Sequence, residues 1–316
     1  MGYRRADVRH GLAVAALAAA VFPACSVKNM AINKLGSALA SGTSVYATDD
    51  DPELVRDALP FGLKTMEALI LQVPENRDLL LAASSGFTQY AYAFVENDAF
   101  LVEPEDPARA AELEARALKL YLRGRDYGLR SLELDRPGIL ARLQREPDRA
   151  AAEFEDPADA PRLFWTAAGW GAAISLGRRQ ADLVADIDAV RALMRRTLQL
   201  DEDMDRGAVH GVMISLESLP AAMGGSLERA DEHFRRAVEL SGGTQAGPYV
   251  TWAEAVAVSR QDRAGFRDAL ERALAIDPDR DPPSRLANLV TQERARALQA
   301  REDELFVDSE SLDDEN

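Results

Sequence analysis

The sequence predicts an all-α fold, and three observations carry that prediction. Aromatic residues make up 6% of the 316 residues, while Ala and Leu, two of the strongest helix formers, are frequent. Gly and Pro fall mostly between apolar-periodic stretches rather than within them. They mark stops at Pro52, Pro74, Pro104 with Pro107, Pro137, Pro147, Pro157 with Pro161, Pro220, Gly242-Gly243, Pro248, Pro278 and Pro282-Pro283. The stretches so delimited have the length of a helix or a helix pair. No run of alternating β-branched residues flanked by turn dipeptides supports a sheet.

The chain opens with Arg4, Arg5 and Arg9, followed by an uncharged run from Leu12 to Phe22. This is the layout of a secretory signal, and the apolar run falls short of the about 20 residues a spanning helix needs. Residues 1–24 are therefore expected to be removed. The chain's single cysteine, Cys25, follows Phe22-Pro23-Ala24. A small residue before a cysteine at the end of such a run predicts lipid attachment at Cys25, although Pro23 beside Phe22 departs from the usual lipobox. The alternative is an ordinary signal peptide that leaves Cys25 as a free thiol. Residues 25–48, rich in Ser, Ala and Gly, read as a tether or an N-terminal helix. At the other end, residues 306–316 read as an acidic tail.

Between these ends, residues 49–305 read as one helical domain, opened by Asp51-Pro52-Glu53, which places carboxylates at a helix start. Repeated offsets appear within it. Ala230, Phe234, Ala237 and Gly242 follow the same spacing as Phe266, Leu270, Ala273 and Pro278. That spacing matches the second helix of a tetratricopeptide repeat, in which small residues let two helices approach and a final Pro or Gly ends the unit. First-helix counterparts are Trp165, Ala168, Gly169 and Ala172, and Tyr249, Trp252, Ala253 and Val256. Weaker second helices fall at Gly62, Met66, Leu69 and Pro74, and at Val190, Met194, Thr197 and Glu202. Any amphipathic helix supplies apolar residues three and four apart; the recurring turn residues are what favour degenerate tandem repeats, packed as an α-solenoid or a compact helical array with a groove.

Charge and motif content narrow the function. The chain holds 37 basic and 53 acidic residues; without residues 1–24 these become 34 and 52, a net charge of −18. Nucleic acid is excluded as a natural partner, because phosphate neutralisation needs basic patches. One cysteine allows no disulfide within the chain, so about 290 residues must be held by their core alone. His10, His210 and His233 are the only histidines. His10 leaves with the signal, and neither of the others has a second histidine at metal-ligand spacing. Asp49-Asp50-Asp51 and Asp201-Glu202-Asp203 lack the Gly and bidentate Glu of a calcium loop. Gly42-Thr43-Ser44 lacks the phosphate-loop Lys, and no Ser occupies a Gly-x-Ser-x-Gly elbow. No catalytic residue, metal or cofactor is expected.

The densest aromatic stretch runs from Ser84 to Phe100. On a helix Phe87, Tyr90 and Phe94 share a face, with Gln89 and Tyr92 on neighbouring faces. Phe87 and Phe94 read as core. Gln89, Tyr90 and Tyr92 carry polar ends that must reach water, a partner or a ligand, so they are the first candidates for a binding surface. Trp165 and Trp170 are second candidates, with Trp165 also at a repeat-packing position. Arg123 and Arg125 either meet acidic groups of a partner or form local ion pairs.

The chain resembles the T-component lipoproteins associated with tripartite ATP-independent periplasmic (TRAP) transporters. The likeness rests on Asp49 to Phe61, Gly86 to Val95, Tyr121 to Tyr127, Ser241-Gly242-Gly243, Gly247-Pro248-Tyr249-Val250 and Arg285 to Leu289. The resemblance implies an all-helical, tetratricopeptide-like protein in the periplasm, tethered through a lipidated Cys25 and assembled as a homotrimer. It implies a non-catalytic accessory subunit that binds the solute-binding P component and passes a small ligand through a groove or pore. Ser26 after the cysteine supplies no Asp-type inner-membrane retention signal, which favours the outer membrane. Two other readings remain: a cell-envelope repeat scaffold without a transport role, and a helical hydrolase of envelope polymers, for which no convergent carboxylate pair stands out.

Overall fold

In the computed structural model, residues 43–307 are described, and among them every regular element is helical. The all-α expectation holds. Cys25, the expected signal segment and residues 308–316 lie outside the described residues.

Helix starts are set by short polar side chains that accept otherwise unpaired backbone N–H groups. Asp51 accepts from the Glu53 and Leu54 amides and opens α1 (Pro52–Gln72). Asn76 accepts from Leu79 at 2.9 Å and opens α2 (Arg77–Tyr90). That helix runs without a break through a π-helical turn, π1 (Ala91–Glu96), into α3 (Asn97–Val102). Asp106, followed by Pro107, caps α4 (Pro107–Glu133). The short α5 (Ile139–Arg145) and α6 (Pro147–Ala151) lead to α7 (Ala160–Leu176) and α8 (Ile187–Leu200).

Next comes α9 (Ala208–Glu217), and Ser226 caps α10 (Leu227–Leu240). α11 (Gly247–Trp252) continues into a second π-helical turn, π2 (Ala253–Ala257). Asp262 caps α12 (Arg263–Ala275), and α13 (Arg285–Ala300) follows.

Each long helix packs chiefly on its neighbours in the chain: α1 on α2, α2 on α4, α4 on α7, α7 on α8, and so on to α12 on α13. This order is compatible with stacked helix pairs. The repeat-spaced Ala230, Ala237, Phe266, Leu270 and Ala273 are all buried.

The large core fills α1 to α9 with Trp170, Tyr121, Phe154, Leu163 and Leu193. A second core joins α11, α12 and α13. Phe306, the first residue of the expected acidic tail, is buried in that second core edge-on to Phe266, with ring centroids 5.1 Å apart. The packed chain thus extends through Phe306. Close approach of α4 and α7 depends on Gly169: a Cβ there would lie 3.2 Å from the Arg125 amide nitrogen and 3.3 Å from the Tyr121 carbonyl.

The array does not stay open. α13 folds back against α1 and α3. Arg285 Nη1 donates to the Thr48 carbonyl at 2.9 Å, Asn97 Nδ2 donates to Glu293 Oε2 at 3.3 Å, and Arg301 pairs with Glu103 at 2.8 Å. Phe100 of α3 packs on the second core, beneath the Arg294 guanidinium at 3.9 Å. The two cores therefore meet along α3 and α13, where Glu254 of π2 reaches Arg294 of α13.

Candidate functional site

An extra residue in a helical turn re-aims the side chains around it, and such π bulges often sit at functional sites. Here π1 presents Tyr92 and Glu96, π2 presents Glu254, and α13 and α4 supply Arg294 and Tyr121. Both Glu254 carboxylate oxygens engage Arg294, with Nε at 3.0 and 3.1 Å and Nη2 at 2.8 Å. The buried Tyr121 hydroxyl donates to Glu96 Oε2.

Tyr92 is 44% exposed, yet burial raises its hydroxyl pKa to about 12, with Arg294 opposing and Glu254 and Glu96 adding to the rise. Burial also raises the Glu96 carboxyl, with Glu254 and Glu114 reinforcing the rise; the Tyr121 hydrogen bond and Arg294 work against it. For Arg294, burial disfavours the charge, but the Glu254 ion pair and its hydrogen bonds outweigh burial and the guanidinium pKa is raised. Two polar pairs thus stand near this junction: Glu254 holds the Arg294 guanidinium, and Glu96 accepts the Tyr121 hydroxyl.

Of the residues expected from the sequence to bind, Tyr92 is the one on π1, and it is exposed. Gln89 is exposed on the last turn of α2. Tyr90 is buried, its hydroxyl accepting from Arg116 Nη2 at 3.3 Å and its ring tilted against Phe94. Trp165 is half-buried, edge-on to Phe164. Trp170 is fully buried beneath Arg125, whose guanidinium lies 5.8 Å from the ring centroid. Arg123 lies 3.6 Å from Glu67 and stands over Phe87, and Arg125 pairs with its neighbour Asp126. None of these contacts joins the Tyr92 cluster. Glu96, Glu254 and Arg294 were not singled out from the sequence, because a pair 40 residues apart on separate helices leaves no local pattern.

The fold also brings together two histidines that the sequence leaves 23 residues apart. His210 Nδ1 lies 2.8 Å from His233 Nδ1, and His210 Nε2 lies 3.3 Å from Glu202, itself held by Arg236 at 2.8 Å. At that distance one imidazole donates to the other, so the contact requires at least one neutral ring. Burial lowers both pKa values. Glu202 opposes the shift at His210, and His210 adds to it at His233.

A base with a depressed folded pKa binds more protons when unfolded, so this pair stabilises the fold above the usual histidine pKa. That contribution is lost as pH falls through the lowered values. Thermal midpoints are expected to drop between about pH 7.5 and about pH 5, and the drop should shrink in a His210→Gln/His233→Gln variant. An unchanged slope would remove the pair as its source. Among the described residues, no group of three or more His, Cys, Asp or Glu side chains could hold a metal ion, and no helix is long and apolar enough to cross a membrane.

A family model described as "TRAP transporter T-component" matches residues 48–306. A protein of Treponema pallidum (strain Nichols), described as "Uncharacterized protein", is 33% identical to this chain over 303 residues. That alignment spans 90% of this chain and 94% of the Treponema protein.

Proposed function

Because the chain belongs to the TRAP transporter T-component family, we propose that it is a non-catalytic accessory subunit that binds the solute-binding P component and holds a small ligand at Tyr92. The observation that supports this reading is Tyr92, one of the polar side chains singled out from the sequence, which stands water-accessible on π1. The subunit acts in the periplasm, anchored through a lipid on Cys25 after removal of residues 1–24, with the outer membrane preferred. The tetratricopeptide-like helix pairs supply the groove. Homotrimer assembly is part of the same reading. It is supported by Leu54 and Phe61, two turns apart on α1 and both exposed, an apolar face of a kind that assemblies cover.

The test is a calorimetric titration of the full chain, carrying Cys25→Ser, against the solute-binding protein encoded nearest to it, with and without candidate solutes. Saturable association is expected, and Tyr92→Ala should weaken it about ten-fold, or about 1.4 kcal/mol, with helicity unchanged. No association, with a partner shown to be folded and ligand-competent, would leave the envelope-scaffold reading.

A further inference from the structure

The packing of α10 on α9 is close because small residues line it. Ala230 shares a small core with Ile214 of α9, and Ala237 lies against Gly207 at the start of α9. His233 stands three residues after the first alanine and four before the second, so it falls on the same face of α10. There its Nδ1 comes to 2.8 Å from Nδ1 of His210 on α9. Glu202 stands on the other side of the His210 ring, 3.3 Å from Nε2. A carboxylate in that position holds the Nε2 proton and leaves the Nδ1 lone pair facing His233, which is how outer carboxylates orient metal-bound histidines. Burial lowers both histidine pKa values, so at pH 7 the rings are in the neutral form that coordinates. Arg229 and Arg236, on the same side of α10, are committed to Glu217 at 2.6 Å and to Glu202 at 2.8 Å, so each guanidinium charge there is matched by a carboxylate.

We propose that His210 and His233 form a two-histidine site for Cu(II), with the two Nδ1 atoms as neighbouring ligands and water in the remaining positions. The spacing selects the metal. With metal–nitrogen bonds of about 2.0 Å, two donors at the right angle of a tetragonal ion lie about 2.8 Å apart, whereas the tetrahedral angle of Zn(II) sets them about 3.3 Å apart. The observed 2.8 Å is the tetragonal value, and Cu(II) is the divalent first-row ion that such donors hold most tightly. In the metal-free chain the His233 Nδ1 proton bridges the two rings. On binding, that proton leaves Nδ1, Nε2 of the same ring takes up one from water, and the metal occupies the bridging position. His233 is half-buried, which leaves the pair reachable from solvent. The inference is independent of the transport reading, since neither histidine enters it.

The experiment titrates the full chain, carrying Cys25→Ser so that no thiol competes, with Cu(II) and with Zn(II). A His210→Gln/His233→Gln variant that retains His10 is titrated beside it. Cu(II) binding lost in that variant is expected to saturate at one ion per chain, with Zn(II) about ten-fold or more weaker. Glu202→Ala should weaken Cu(II) about ten-fold or more. Electron paramagnetic resonance of the Cu(II)-loaded parent is expected to show an axial spectrum with hyperfine coupling to two imidazole nitrogens, a reading that needs no variant to fold.

Equal Cu(II) binding by the parent and the double variant, or a parent spectrum without two nitrogen donors, would overturn the site. Zn(II) bound as tightly as Cu(II) through the same histidines would overturn the tetragonal geometry and with it the choice of copper.

Discussion

Replacing Glu217 by Ala is expected to destabilise the fold by about 3–5 kcal/mol, the range for removing one partner of a buried ion pair. Arg191 of α8 and Glu217 of α9 are both almost fully buried. Arg191 Nη1 meets Glu217 at 3.2 Å, and Nη2 donates to the Leu216 carbonyl at 2.7 Å. Arg229 of α10 closes the network, with Nη2 at 2.6 Å from Glu217 Oε2. Without Glu217, Arg191 would stay buried without its counter-ion, and its Nε already lacks a partner. Arg229 is half-exposed and returns to water at little penalty.

Because the penalty comes from the stranded charge rather than from the lost bond, an Arg191→Met/Glu217→Leu double variant should recover most of the loss. Urea unfolding of the three proteins measures this. A single-variant loss under about 1 kcal/mol would show that Arg191 reaches water in the variant.

Trp170→Ala carries a comparable expectation, a loss of about 3–5 kcal/mol, because a large, fully buried side chain leaves a cavity that the packed helices around it cannot collapse into. Trp170→Phe separates volume from polarity. It keeps most of the packing and deletes an indole N–H that has no hydrogen-bond partner among the described residues, so its loss should be well below that of the Ala variant. Both are read by urea unfolding. On the proposed function, binding of the solute-binding protein should be retained wherever the Trp170→Phe variant is folded, since Trp170 sits buried beneath Arg125 of α4.

The fold was legible where a few residues suffice to set local structure. Asp51-Pro52-Glu53 reads as a helix start in sequence, and Asp51 caps α1 in the structure. The evenly spaced Phe266, Leu270 and Ala273 form the buried stripe of α12. The candidate site was legible only in part, for a geometric reason. Ideal helical phase puts Tyr90 and Tyr92 on nearly opposite faces, but it does not show that π1 begins between them at Ala91. Glu254 and Arg294 meet through tertiary packing alone, as do His210 and His233. Trp170 shows the converse: an aromatic residue with a polar atom is a fair candidate for a surface, yet here the fold encloses it and leaves its N–H unpaired.

The return of α13 onto the first helices also sets an order of events as the chain is made and folds. Its contacts join residues 237, 198 and 196 positions apart, the kind of distant pairing that forms late because the intervening chain must first be ordered. Helices α1 to α9 can assemble around the large core as the chain emerges. Arg294 arrives only with the last stretch of polypeptide, so the junction of the two cores is unfinished until the chain is nearly complete. A chain truncated before Arg285 would therefore keep much of its helix and lack that junction, which makes amide protection along α3 a more sensitive reporter of complete folding than helicity.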